Sequence, residues 1–190
     1  MSIELLPRRP RAASARSCGT CGMCCKVFKI SAVEKAAGEW CRNFRTGQGC
    51  GIYEARPHQC RLFNCYWMTD ATLPDEWKPD RAKFVLSIFP QNGFLYVQVD
   101  PGAPMAWRKE PYYSGLKRWA RTNAAKRRHV IVFVQDEATL ILPEQDVRLG
   151  KMRPGEGFSL KMQFGPDGPY YAVEREGGTQ PAETRRVANW

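Results

Sequence analysis

All eight cysteines of this 190-residue chain fall between Cys18 and Cys65, and the rest of the chain has none. Compartment decides how such an even count reads. In a secreted chain it means disulfides, whereas in a reducing cytosol it means metal ligands. The N-terminus, MSIELLPRRPRAASARS, places a short apolar patch before Arg8, Arg9, Arg11 and Arg16. That order is the reverse of a secretory signal, and Pro7 and Pro10 interrupt the amphipathic helix a transit peptide would use. No stretch approaches the roughly 18 apolar residues of a membrane span. The expectation is a soluble, cytoplasmic protein without a membrane partner, whose thiols bind metal.

Spacing sharpens this reading. The cysteines run Cys18-x2-Cys21-x2-Cys24-Cys25, then Cys41, Cys50, Cys60 and Cys65. Thiolates two residues apart turn inward on one ion across a tight turn, as tetrahedral zinc requires. Gly19 and Gly22 each follow a cysteine, and they are expected to turn the chain with positive φ and aim N–H groups at sulfur. The donor set admits two cofactors. Eight thiolates fill two four-thiolate zinc sites, or they hold one iron–sulfur cluster with ligands to spare. The C-x2-C-x2-C run matches the first three ligands of a bacterial ferredoxin motif, although the following Cys-Pro is absent. Side chains of Cys24 and Cys25 diverge, so the pair serves different sites or one member is free.

Charge is read with the thiols in mind. Twenty-nine Lys and Arg against 19 Asp and Glu give a formal +10, but deprotonated cysteines return much of that excess.

The pattern changes sharply along the chain. A flexible basic leader (1–17) precedes a cysteine-cluster metal-binding module (18–70), which has too few apolar runs for a core of its own and calls for a metal staple. Within it SAVEKAAGEW is expected to form a helix, with Ser31 and Glu34 at capping-box spacing and Gly38 at its end. A connector rich in Pro and charge (71–82) leads to an α+β domain (83–176) and a flexible tail (177–190). KFVLSIF and FLYVQVD flank the turn PQNG, HVIVFVQ and TLILP form a second hairpin, and FSLKMQF and PYYAVERE a third. PYYSGLKRWARTNAAKRR is the principal helix. The fold class is thus α+β: a metal-stapled cysteine-rich module plus a mainly antiparallel sheet with one main helix.

CGTCGMCCKVFKI followed by CGIYEARPHQCRLFNC resembles the zinc- or iron-chelating domain of the YkgJ-like cysteine-cluster proteins, whose hallmark is CxxCxxCC. The second half of that pattern stands here as Cys50, Ile52, Tyr53, Arg56, Pro57, Cys60, Arg61 and Phe63. The resemblance covers residues 18–65 and implies metal or cluster binding by Cys18, Cys21, Cys24, Cys25, Cys50 and Cys60. Cys41 and Cys65 lie outside its most stereotyped positions. A bacterial flagellin lysine N-methylase carries the same domain, which raises an iron–sulfur redox enzyme or a protein-modifying transferase as an alternative. No Gly-rich strand-to-helix loop with an acidic partner marks a methyl-donor site here.

Around the cysteines, Arg56 and Arg61 are positioned to donate hydrogen bonds to thiolates or offset their charge, and Tyr53 and Phe63 to shield them. The opposing reading has the rings filling a small core and the arginines pairing with Glu54 or solvent. His58, two residues before Cys60, is expected at the surface or beside the ligands, and His129 in a structural role. From Arg108 to Arg128 eight basic residues stand against Glu110 alone, with Tyr112, Tyr113 and Trp119 among them. Such a stretch suits nucleic acid. Helical spacing instead puts Tyr112, Leu116 and Trp119 on the sheet-facing side and leaves Lys117, Arg118 and Arg121 solvated, the reading favoured here. No protein partner or catalytic residue is identifiable.

Overall fold

A computed structural model describes residues 16–152, 157–166 and 168–176. The leader through residue 15 and the tail from Gly177 lie outside the described residues. The cysteine-rich segment contributes three short helices, α1 (Met23–Val27), α2 (His58–Leu62) and α3 (Tyr66–Thr69), and a two-stranded ribbon of β1 (Phe44–Arg45) and β2 (Gly49–Cys50). Next come α4 (Pro79–Ala82), β3 (Phe84–Ile88), β4 (Leu95–Val99) and the principal helix α5 (Tyr112–Asn123), extended by a 3-10 turn at Ala124–Lys126. The chain continues through β5 (Val130–Val134), β6 (Glu137–Ile141), β7 (Asp146–Lys151), β8 (Gly157–Gly165) and β9 (Gly168–Glu176).

All three expected hairpins form, as β3–β4, β5–β6 and β8–β9. The five-stranded sheet has the order β3-β4-β5-β6-β7. Every pairing in it is antiparallel except β4–β5, which is parallel. A parallel neighbour requires a crossover connection, and α5 lies within it.

The strand side chains alternate between two cores. Leu95, Val97, Val99, Val130 and Val132 belong to one, where they meet Leu116 and Ala120 of α5. Met23, Val27, Cys65 and Trp67 from the cysteine-rich segment lie in that same core. Ile131, Ala138 and Leu140 belong to the other, with Val173, Phe158 and Leu160 of the β8–β9 hairpin. Fully burying a Val or Leu is worth about 1.5–3 kcal/mol. The cysteine-bearing helices are therefore held in place by the sheet's own apolar face.

Residues 71–82 are anchored at three points, although their charged residues stay largely exposed. Trp77, Pro79 and Ala82 are buried, and the Trp77, Phe84 and Tyr112 rings meet edge-on at 5.1–6.0 Å. Trp77 explains Gly115 in the middle of α5, where a Cβ would come within 2.5 Å of the indole.

Two local expectations are overturned. SAVEKAAGEW forms only a 3-10 turn, Ser31–Val33, without a side-chain cap. Glu34 turns left-handed at φ 52°, so Lys35 doubles back to bridge Ile30. Both Ile30 and Lys35 are buried by this return, which a continuous helix would not achieve. On α5, Lys117 is not solvated. It is 8% exposed, donates to the Leu142 carbonyl at 2.8 Å and pairs with Asp146 at 2.9 Å. Leu116, Tyr112 and Trp119 do pack inward, and Arg118 and Arg121 are exposed, as expected.

Candidate metal centre

The cysteines are set by short local structures, each anchored in the main core. Cys21 N–H donates to the Cys18 carbonyl at 2.9 Å, closing a turn in which Gly19 takes φ +53°. Gly22 does not turn the chain with positive φ as expected. Its φ is −122°, and its need is for space, because a Cβ would lie 2.0 Å from the Phe44 ring. In α1, Met23 and Val27 are one turn apart and buried against β3, leaving Cys24 and Cys25 on the remaining faces.

From there the chain returns on itself. Cys41 N–H donates to the Cys25 carbonyl at 3.0 Å and Gly38 N–H to the Lys26 carbonyl at 2.9 Å. The ribbon opposes Phe44 to Cys50. Gly49 lies so close to the first cysteine turn that a Cβ would sit 2.6 Å from the Gly19 carbonyl oxygen. Pro57 caps α2, which carries Cys60, and Cys65 begins α3, whose Trp67 is buried.

The result is convergence. All eight cysteines line one cavity of about 750 Å³. Cys41 and Cys65, outside the stereotyped motif positions, are buried, while the other six are half-buried. None is in a disulfide. Among the described residues, no three His, Cys, Asp or Glu side chains stand in a ready-made metal site.

Electrostatics around the sulfurs are uneven. Burial pushes the Cys18, Cys21 and Cys60 thiols up, and Cys65 up to about 11. At Cys24 a hydrogen bond to Cys25, then burial, raises the pKa. The same hydrogen bond, helped by Lys35 and Arg56 against the effect of burial, lowers Cys25 to about 7. Of the Cys24–Cys25 pair, Cys25 is thus the thiol whose surroundings favour ionisation. Backbone N–H groups of Met23 and Asp80 favour the Cys21 thiolate, and those of Met68 and Trp67 favour that of Cys65.

Of the residues expected around the cysteines, Arg56 and Tyr53 line the cavity. The Arg56 guanidinium lies 3.5 Å from the Tyr53 ring centre and close enough to lower the Cys18, Cys25 and Cys60 pKa values. The Tyr53 hydroxyl favours ionised Cys18. Phe63 lines the cavity and packs edge-on against Phe28 at 4.8 Å. Arg61 and His58 are exposed and not part of the cavity wall. His129 lies far along the chain between Phe94 and Phe158, the structural place expected.

Four contributors escaped the sequence reading. Lys35 points its ammonium at the Lys26 and Phe28 carbonyls beside Cys25 and Cys41. Lys78 stands near Cys18 and Cys21, and Met68 accepts the Cys18 S–H at 3.2 Å. Arg16 donates to the carbonyls of Trp67, Asp70, Ala71 and Leu73, which pins the chain two residues before the cluster. No local signal distinguishes these cations from solvated ones. The basic stretch around α5 is partly neutralised: Arg108 and Lys117 pair with Asp146, and Arg121 with Glu144.

No protein-family model, curated protein or solved structure matches the chain. The family resemblance therefore rests on the motif residues themselves. Among the described residues no helix is long and apolar enough to cross a membrane.

Proposed function

We propose that this chain is a metal-binding protein whose cysteine cluster holds zinc or an iron–sulfur cluster, as in the YkgJ-like family its motif resembles. One observation carries the reading. Eight thiols from three short helices, a ribbon and the turns between them line a single cavity. The surroundings suit thiolates, since Lys35, Arg56 and Lys78 supply positive charge and backbone N–H groups face Cys21 and Cys65. Such donors stabilise charged sulfur without competing as ligands.

A bound ion or cluster would neutralise thiolates that repel one another and cross-link segments with little apolar core of their own. Metal binding and folding of the segment are then one equilibrium, worth about 10–16 kcal/mol in small zinc modules. The deciding experiment is elemental analysis with an absorption spectrum on protein purified without oxygen. Zinc in colourless protein, or iron with acid-labile sulfide and broad visible absorption, supports the reading. Protein that holds neither, and takes up neither on reconstitution, refutes it. Cys21→Ser and Cys60→Ser are expected to lower bound metal, and full retention in both would count equally against it.

A further inference from the structure

We infer that the cavity receives, beside the metal centre, a small monocarboxylate with an apolar body, its carboxylate held by Arg56. The inference rests on the metal-binding reading for what fills the thiol side of the cavity, and adds the class of molecule taken up by the remainder.

Room and charge point the same way. An ion held about 2.3 Å from each thiolate fills little of a cavity, and this one measures about 750 Å³, within the range of small-molecule sites. Among the described residues its wall carries four cations, Arg16, Lys29, Arg56 and Lys78, and no aspartate or glutamate. Two of the four are engaged by protein groups. Arg16 donates to four main-chain carbonyls, and Lys78 lies 3.5 Å from Asp80. Arg56 is held at one edge only. Its Nε–H donates to the Tyr53 carbonyl at 2.7 Å, and its guanidinium carbon lies 3.5 Å from the Tyr53 ring centre. Among the described residues its two terminal nitrogens have no hydrogen-bond partner, and none of the eight sulfurs accepts from it. What remains is an oriented fork of N–H groups, the geometry that takes a carboxylate in two hydrogen bonds. Lys29, the other cation without a partner, is exposed. One fork rather than a cluster of donors therefore awaits the anion, which suits a singly charged carboxylate better than a phosphate.

The apolar side is equally fixed. Arg56 and Pro57 lead into α2, and Phe63 follows its last residue. Phe63 packs edge-on against Phe28 at 4.8 Å. Gln59 Nε2 donates to the Lys29 carbonyl at 3.1 Å, so two contacts tie α2 to the chain beyond α1. From the sheet, Ile88 and Phe89 line the same cavity, and Phe89 meets Tyr96 edge-on at 5.3 Å. Walls held by such contacts need little ordering when a ligand enters. The five residues of α2 span about 7.5 Å. A carboxylate whose apolar body extends on the order of 7–8 Å therefore reaches from Arg56 at one end of α2 to Phe63 at the other.

The test titrates the full-length, metal-loaded chain with phenylpropionate and with octanoate, read by calorimetry and saturation-transfer NMR, and uses phenylpropanol as the neutral counterpart. Both acids are expected to bind saturably, and the alcohol at least about 10-fold more weakly. Arg56→Gln should weaken the acids about 10- to 100-fold, the worth of a hydrogen bond to a charged group, while bound metal stays at the wild-type level. Three results overturn the inference: no saturable binding of either acid below about 10 mM, equal binding of acid and alcohol, or wild-type affinity in Arg56→Gln. Loss of metal together with the acids in that variant also counts against it, because Arg56 would then serve the thiolates. Metal-loaded protein that takes neither acid leaves the metal-binding reading intact, whereas a chain that takes the acids but neither zinc nor iron refutes that reading alone. The comparison of acid with alcohol uses the wild-type chain, so it stands even where the variant fails to fold.

Discussion

Gly22→Ala isolates one contact on which the cysteine cluster depends. The backbone at Gly22, φ −122° and ψ 15°, tolerates alanine. Conformational entropy alone would then favour the substitution by about 0.4–1 kcal/mol. Packing opposes it. The new Cβ would lie 2.0, 2.4 and 2.7 Å from three carbons of the Phe44 ring, so the ring must withdraw by roughly 1.5–2 Å to restore ordinary contact. It is stacked on Trp40 at 4.4 Å and 13°, which blocks one route of retreat. Overpacking of this kind costs about 1–3 kcal/mol, so a net loss of about 1–2 kcal/mol is expected. Phe44 is register partner to Cys50. Where folding and metal binding are linked, the loss appears as metal affinity weakened roughly 5- to 30-fold. Competition with a chromophoric chelator measures it. In a Phe44→Ala background the space is open, and Gly22→Ala should become neutral or favourable, a coupling of about 2 kcal/mol. Equal effects of Gly22→Ala in both backgrounds would refute the reasoning.

Lys117→Met removes one partner of a buried ion pair. Arg108 and the Tyr113 hydroxyl remain on Asp146, so the loss should be about 2–3 kcal/mol, toward the low end for broken buried pairs. A urea-unfolding difference below about 0.5 kcal/mol would mean Lys117 behaves as a surface residue. Burial lowers the His129 pKa from 6.5. The folded state therefore binds fewer protons than the unfolded one below pH 6.5. The stability contributed by neutral His129 is full above the unfolded pKa and is lost as pH falls from 6.5 through the folded value. His129→Gln should flatten that part of the pH–stability curve, and an unchanged slope would contradict it. Chelation of bound metal should raise amide hydrogen exchange in α1, β1–β2 and α2, while β4–β5, at the sheet's centre, stays protected. Uniform exchange across both regions would show that the sheet has no stability independent of the metal.

What was legible from sequence followed local rules. Apolar runs around PQNG and GPDG specify two hairpins because those turns favour reversal, whereas the turn of the second hairpin is Gln135–Asp136 rather than DE, since Glu137 already pairs with Val134. The helix near Tyr112 was legible from its 3–4 spacing. These signals need only a few neighbouring residues.

The rest depends on partners distant in sequence. That β4 lies parallel to β5, and that β7 closes the far edge, follows from which strands meet across the sheet. SAVEKAAGEW carries a capping box, yet burying Ile30 and Lys35 against the cysteine turns outweighs the modest gain of one short helix. Lys117 and Lys35 look like solvated cations until Asp146 and the thiols are brought beside them. Gly22 resembles a turn glycine until Phe44 arrives from 22 residues away. Sequence by itself determined that eight thiols stand close together along one segment, because spacing along the chain belongs to the sequence. Tertiary structure decided which sulfurs face one another and which charges they feel, because distance and burial arise only when the chain has folded.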